Sequence, residues 1–272
     1  MKIVQCHVAK CLSHFEARFR KKYGLTRPYE NSGAPAIFFG CYSNYSLIKI
    51  LNHNGLGVIV WAGGDAKALR KYLLGIKINP QLERQYRKIL TKRNIKHIAI
   101  SKFIEIDLMS VGLLYKKVPV NPTDLSLFTP CPLGDSVYIY GYQEKPEVYN
   151  AKLVDKVKQF LPNIKFICAH FDGKSSAPQH EMPNLYKRCF LGLRLTTHDG
   201  LPNTVIELGL MGRKVVYNDN LPNTIPWEHS SDIVKTIKKE FELRFENRND
   251  LGNRVLRYIN CGEDWLDSRF YT

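Results

Sequence analysis

The chain has 272 residues, 44% of them hydrophobic and 24% charged, with a formal net charge of +15. Those proportions are near globular averages, which excludes a disordered or fibrous chain, and the length suits two units of ordinary domain size. The longest apolar stretches, such as residues 55–62, are strand-sized, so no membrane-spanning helix is expected.

From the N-terminus, apolar runs at 2–7, 36–39, 58–61, 97–100 and 117–120 read as strands. Helical patterns fall between them at 12–23, 45–52, 66–74, 81–92 and 103–110. Pro119, Pro122, Pro130 and Pro132, with Gly134 behind them, cannot continue a helix or a central strand, so a linker is expected at 121–134. The alternation then restarts. Strands are expected at 136–140, 165–169, 192–197 and 214–217, and helices at 151–161, 182–190, 205–211, 231–246 and 249–258. Strand–helix alternation of this kind predicts parallel α/β architecture. The expected division is a unit over residues 1–125, a second over 126–258, and a tail over 259–272 that packs back on the first.

Seven cysteines at irregular spacing, none in a C-x-x-C pair, argue against a disulfide framework and against a zinc site. With no apolar leader after Met1, a reducing cytoplasm is the expected compartment. Charge is distributed unevenly. Residues 1–125 hold 21 basic and 7 acidic side chains, whereas the remainder holds 19 and 18. The densest stretch runs from Lys67 to Lys96, with ten basic residues opposed by Glu83 alone. Such a face is either a solvated surface that aids solubility or a docking face for an anionic partner: a membrane surface, an acidic glycan or nucleic acid.

The segment richest in chemistry is residues 193–216. It reads as a strand through Arg194, a turn Asp199-Gly200-Leu201-Pro202, a helix through Glu207, a stop at Gly212, and a further strand. Pro202 suits a first helical turn and Gly212 a left-handed C-cap. The amides of Gly200, Leu201, Asn203 and Thr204 then lie at a helix N-terminus, where anions are favoured. Asp199 and Glu207, eight residues apart, bring acceptor-only groups that suit sugar hydroxyls. Taken alone, the same residues also fit an N-terminal cap and a helix surface.

The string Asp199-Gly200-Leu201-Pro202, Glu207, Gly212-Arg213-Lys214-Val215-Val216 resembles the donor-site motif of retaining glycosyltransferases of the GT-B fold, the large family-four type. Asp199 stands for a glutamate one methylene longer, one glycine of the turn is absent, and Lys214 replaces a proline. Asn184-Leu185-Tyr186, Val137-Tyr138-Ile139-Tyr140-Gly141 and the Ser101-Lys102-Phe103 step carry the likeness further. The resemblance implies two Rossmann-like domains facing a central cleft, with the acceptor on the first and the nucleotide sugar on the second. It implies that Glu207 takes the ribose and Asp199 the donor sugar. By the same resemblance Gly141 and Tyr142 are expected beside the diphosphate, with Lys145 and Arg194 as the candidate cations that neutralise it. Acceptor-side turns are Gly40, Tyr42 and Ser43, or alternatively the turn with Asp65. Transfer with retention, no metal, no cofactor beyond a UDP- or GDP-sugar, and a glycan, glycolipid or glycoprotein acceptor are what the family implies. The basic first half is then an acceptor domain meeting an anionic acceptor or membrane surface. A nucleic-acid glycosyltransferase, an epimerase or hydrolase on the same fold, and an inert nucleotide-sugar-binding subunit are the alternatives.

Overall fold

The structure is a computed structural model that describes residues 2–141, 145–169, 178–260, 262 and 264–271. The chain divides into two compact units. The first comprises Met1–Pro122, His198–Leu201 and Ile259–Thr272, and the second Thr123–Thr197 and Pro202–Tyr258.

The first unit is built on a parallel sheet of β1 (Gln5–Val8), β2 (Arg27–Pro28), β3 (Ala36–Phe39), β4 (Gly57–Trp61), β5 (Ile95–Ala99) and β6 (Lys116–Lys117), in the spatial order β2-β1-β3-β4-β5-β6. All residues of β3 and β4 are buried, as expected of central parallel strands covered on both faces. Helices α1 (Glu16–Tyr23), α2 (Asn44–Leu51), α3 (Gly64–Leu73), α4 (Pro80–Thr91) and α5 (Lys102–Ser110) cover it. Their starts are set locally: Ser43, Asn79 and Ser101 each accept a backbone N–H from the first turn of α2, α4 and α5. Phe19 of α1 stacks on Phe39, with ring centroids 4.4 Å apart. The C-terminal segment belongs to this unit: Ile3 N–H donates to Leu266 O at 2.8 Å, and the buried Trp265 ring meets Tyr23 edge-on at 5.1 Å.

The second unit repeats the plan. Its sheet contains β7 (Ser136–Ile139), β8 (Lys165–Ile167), β9 (Cys189–Leu193), β10 (Lys214–Val216) and β11 (Thr224–Ile225), all parallel, in the order β11-β10-β9-β7-β8. Around it lie α6 (Ala151–Gln159), α7 (Met182–Lys187), α8 (Asn203–Leu210), α9 (Ser230–Glu242) and α10 (Asn249–Ile259). Val137, Ile139, Leu191 and Leu193 of the sheet pack with Val154 and Val157 of α6 and Ile233 and Ile237 of α9. Fully buried Arg213 donates to the carbonyls of Cys131, Pro132 and Cys189, tying the proline-bearing connection to the end of this unit's sheet.

Several boundaries differ from the sequence reading. Phe190 and Cys189, assigned to a helix by their apolar neighbours, open β9, because Arg188 ends α7 with its N–H on Leu185 O. The expected strand at 192–197 therefore starts earlier and stops at Leu193. Residues 10–15 form a 3-10 turn ahead of α1 rather than part of one long helix. The expected strand at 117–120 is shortened to β6, and β2 and β11, two residues each, are too short to leave a period in sequence. No helix among the described residues is long and apolar enough to cross a membrane.

In each sheet the first strand lies between the second and the third, so chain direction across the sheet reverses at β1/β3 and at β7/β9. Open α/β sheets bind ligands outside the strand C-termini at such switch points.

Candidate functional site

In the second unit the switch point is framed by Gly141 after β7 and Arg194 after β9. Gly141 has φ +67°, and a Cβ there would lie 2.2 Å from the Tyr149 ring, so this position admits only glycine. Tyr149 also stands edge-on to Tyr140, at 5.0 Å. The buried Arg194 guanidinium lies 4.0 Å from the Tyr140 centroid and 5.4 Å from that of Tyr149. Contact with ring faces attracts and orients a cation through the quadrupole of each ring. Lys145 is exposed, and its N–H donates to Gly141 O at 3.2 Å. Tyr142 lies outside the described residues.

Helix α8 begins two residues ahead of the expected 205, with Pro202 just outside its first turn rather than in it. Pro202 is its N-cap, with φ −75° and ψ 125°, and Asn203 is the first helical residue. Pro202 O accepts from Val205 and Ile206 N–H, so the helix starts in register with the end of the turn. Its far end is closed by Gly212 at φ +87°, the left-handed conformation expected there. Thr204 is buried in the first turn and Asn203 half-buried.

Glu207 is only 5% exposed, on the second turn of α8. Gln179 Nε2 donates to its Oε1 at 2.6 Å, and Tyr186 Oη donates to its Oε2 at 3.0 Å. Tyr186 is wholly buried on α7, and burial, followed by the neighbouring Glu207 charge, raises its phenol well above the ordinary tyrosine range. Tyr138 of β7 is pushed up by burial first, then by the neighbouring Tyr140 and Glu207, and its ring meets Tyr186 edge-on at 5.1 Å. Glu207 is thus a buried acceptor aimed among protonated phenols and an amide. Gln179 and Tyr186 were absent from the sequence-derived site. Tyr186 was visible only as part of Asn184-Leu185-Tyr186, and Gln179 carries no local signal at all.

In the first unit the acceptor-side candidates gather around one carboxylate. Asp65, wholly buried at the start of α3, accepts from the N–H groups of Cys41 (2.9 Å), Ala62 (3.0 Å), Gly63 (2.9 Å) and Ala66 (3.0 Å). Burial raises its carboxyl above the usual range, and those four amides pull the other way. Asp65 therefore joins the turn after β3, with Gly40, Tyr42 and Ser43, to the turn after β4. The two candidate acceptor-side turns, alternatives in the sequence, are one construction. Gly40 has φ +81°, Tyr42 is 39% exposed, and burial followed by the Asp65 charge raises its phenol.

The residues His198–Leu201 also belong to this unit. Asp199 is half-buried, its Oδ1 accepting from Gly200 N–H at 2.8 Å and its carbonyl from Ser101 Oγ at 3.1 Å. A Cβ on Gly200 would meet Ala62 O at 2.2 Å, so glycine is required by backbone approach. Leu201 is buried. His198 Nε2 lies 2.6 Å from Asp107 Oδ2, whose other oxygen meets Arg70 at 3.3 Å. Nothing in the local sequence pointed to Asp107. Among the described residues, no three His, Cys, Asp or Glu side chains are placed to hold a metal ion.

No family model matches the chain, and no curated protein does. Solved structures do. Sucrose-phosphate synthase from Thermosynechococcus elongatus is similar with a TM-score of 0.59 at 11% identity, over 92% of this chain and 73% of that one. TarM gives a TM-score of 0.59 at 11% identity, over 94% of this chain and 57% of its own, so this chain spans little more than half of TarM. A mutant of S. aureus TarM in complex with Fondaparinux, alpha-GlcNAc-glycerol and UDP gives 0.53 at 11% identity, over 85% and 53%. These neighbours are GT-B glycosyltransferases, and with two all-parallel sheets in the order described, the fold of this chain is GT-B.

Proposed function

We propose that this chain transfers a sugar from a nucleoside diphosphate sugar to a hydroxyl of a glycan or glycolipid, with retention and without a metal. The observation that carries the reading is Glu207, a buried carboxylate held by neutral donors on a helix that starts beyond the C-terminal edge of a parallel sheet. A ribose diol offers two O–H donors to such an acceptor. Asp199, four residues ahead of the helix, is assigned to hydroxyls of the donor sugar. The UDP and alpha-GlcNAc-glycerol in the S. aureus TarM complex support a nucleotide donor and a sugar-bearing acceptor for this fold.

The chemistry required is stabilisation of a leaving diphosphate. As the anomeric C–O bond breaks, its electron pair passes to the diphosphate. The acceptor oxygen bonds to the anomeric carbon, and its proton goes to the departing phosphate oxygen. The N–H groups of the first turn of α8, the ring-stacked Arg194 and the exposed Lys145 supply positive potential where that charge develops.

Thermal denaturation with UDP-, GDP-, dTDP- and ADP-sugars tests the reading. A donor present at about 100 times its dissociation constant stabilises by about 2.7 kcal/mol. One of the four is expected to raise the melting temperature, and Glu207→Gln, with its volume kept, is expected to weaken that donor about tenfold to a hundredfold by calorimetry. Unchanged affinity in the variant removes Glu207 from the ribose. A wild-type chain that responds to none of the four defeats the proposal.

A further inference from the structure

The connection between α3 and α4 joins exposed aliphatic surface to dense positive charge. Residues 74–78 are five consecutive exposed positions, in which Leu74 is 49%, Ile76 62% and Ile78 88% exposed. Lys77 stands between the two isoleucines, its N–H bonded to Lys71 O at 3.0 Å. Lys71 on α3 and Arg84 and Lys88 on α4 are exposed as well. Two other cations of this stretch are engaged by carboxylates, Arg70 by Asp107 and Arg87 by Glu83, and Glu83 is the only acid between Lys67 and Lys96.

A face that served solubility alone would carry the lysines without the isoleucines, since clustered exposed aliphatics promote association. A nucleic-acid surface explains the cations but gives Ile76 and Ile78 no contact, because backbone-tracking grooves pair their cations with aromatic rings on which bases stack. A bilayer with anionic headgroups accounts for both. Cations meet lipid phosphates at the headgroup level, and the short aliphatic tip reaches the acyl boundary.

We propose that the α3–α4 connection is a wedge that seats the first unit on an anionic phospholipid bilayer. Ile76 and Ile78 enter the acyl boundary, and Lys71, Lys77, Arg84 and Lys88 lie against the phosphates. The inference uses no residue of the donor-binding proposal and stands or falls apart from it.

Co-sedimentation of the full chain with vesicles of phosphatidylcholine, with and without phosphatidylglycerol, tests it. Binding is expected only where phosphatidylglycerol is present, and it is expected to weaken as salt rises. The double variant Ile76→Ser/Ile78→Ser is expected to bind those vesicles about tenfold more weakly, with its melting temperature and its response to nucleotide sugars unchanged. Lys71→Ser/Lys77→Ser/Lys88→Ser is expected to lose binding. Equal binding to both vesicles, no binding to either, or full binding by the isoleucine variant overturns the proposal. Tighter binding to duplex DNA than to the anionic vesicles, undiminished by Ile76→Ser/Ile78→Ser, overturns it in favour of nucleic acid.

Discussion

His97 lies within β5 of the first unit, where its Nδ1 accepts from the Trp61 indole N–H at 3.2 Å and its ring stacks on Trp61. Burial, with the Lys96 charge second, pushes it down to about 3. His7 is held at about 4 by burial and then by Lys49. A histidine whose folded value is depressed leaves the unfolded chain with more bound protons between the folded value and about 6.5. Stability therefore rises with pH across that window, is fully present above it, and falls by about 1.4 kcal/mol per pH unit per histidine on acidification. Urea denaturation between pH 7 and pH 5 should show a falling midpoint. His97→Gln, which keeps an acceptor for Trp61, should show a smaller fall. An identical slope in the two proteins would refute the assignment of that loss to His97.

At the level of elements, the turns after β3 and β4 depend on one side chain. Asp65 satisfies four backbone N–H groups that would otherwise be buried without acceptors. Asp65→Asn keeps the shape but offers one acceptor oxygen and adds a donor facing other donors. A loss of about 3 kcal/mol is expected on chemical denaturation, by the cost of leaving buried amides unpaired. The turn after β7 depends instead on an absent side chain. Gly141→Ala combines a positive φ with a Cβ against the Tyr149 ring, so it should destabilise the second unit and displace the rings that hold Arg194. Near-ultraviolet circular dichroism of the tyrosines reports that displacement, and an unaltered spectrum would contradict it. These elements were unequally legible. The caps at Ser43, Asn79 and Ser101 are local, and so are the apolar runs of β3 and β4, which is why their positions could be read within a residue or two. Phe190 was misplaced because an apolar residue after a short helix looks the same whether it ends that helix or begins a buried strand.

On the scale of the whole molecule, the C-terminal segment and the first strand are far apart in sequence yet belong to one unit. Trp265 is buried against Tyr23, whose hydroxyl also accepts from Asn121 N–H at 3.0 Å. Trp265→Ala should cost about 3–5 kcal/mol by cavity formation, read as a lower urea midpoint for the first unit. The excess charge is likewise a whole-molecule property. Nearly all of the +15 lies in residues 1–125, which gives the first unit the field that draws anions.

What the amino-acid order determined was the class of fold and the position of the strand–turn–helix segment to which donor binding is assigned in the proposal. Alternating strand and helix periods are short-range signals, and a glycine–proline turn between a strand and a helix announces itself within ten residues. What tertiary structure decided was partnership. The sheet order that puts Gly141 and Arg194 at a switch point, the Gln179 amide 28 residues from Glu207, the Asp65 carboxylate serving two turns, and the Asp107 oxygen on His198 all join positions distant along the chain. No local period encodes such pairs. They are fixed only when burial removes water from polar groups and leaves each one to find its acceptor or donor inside the fold.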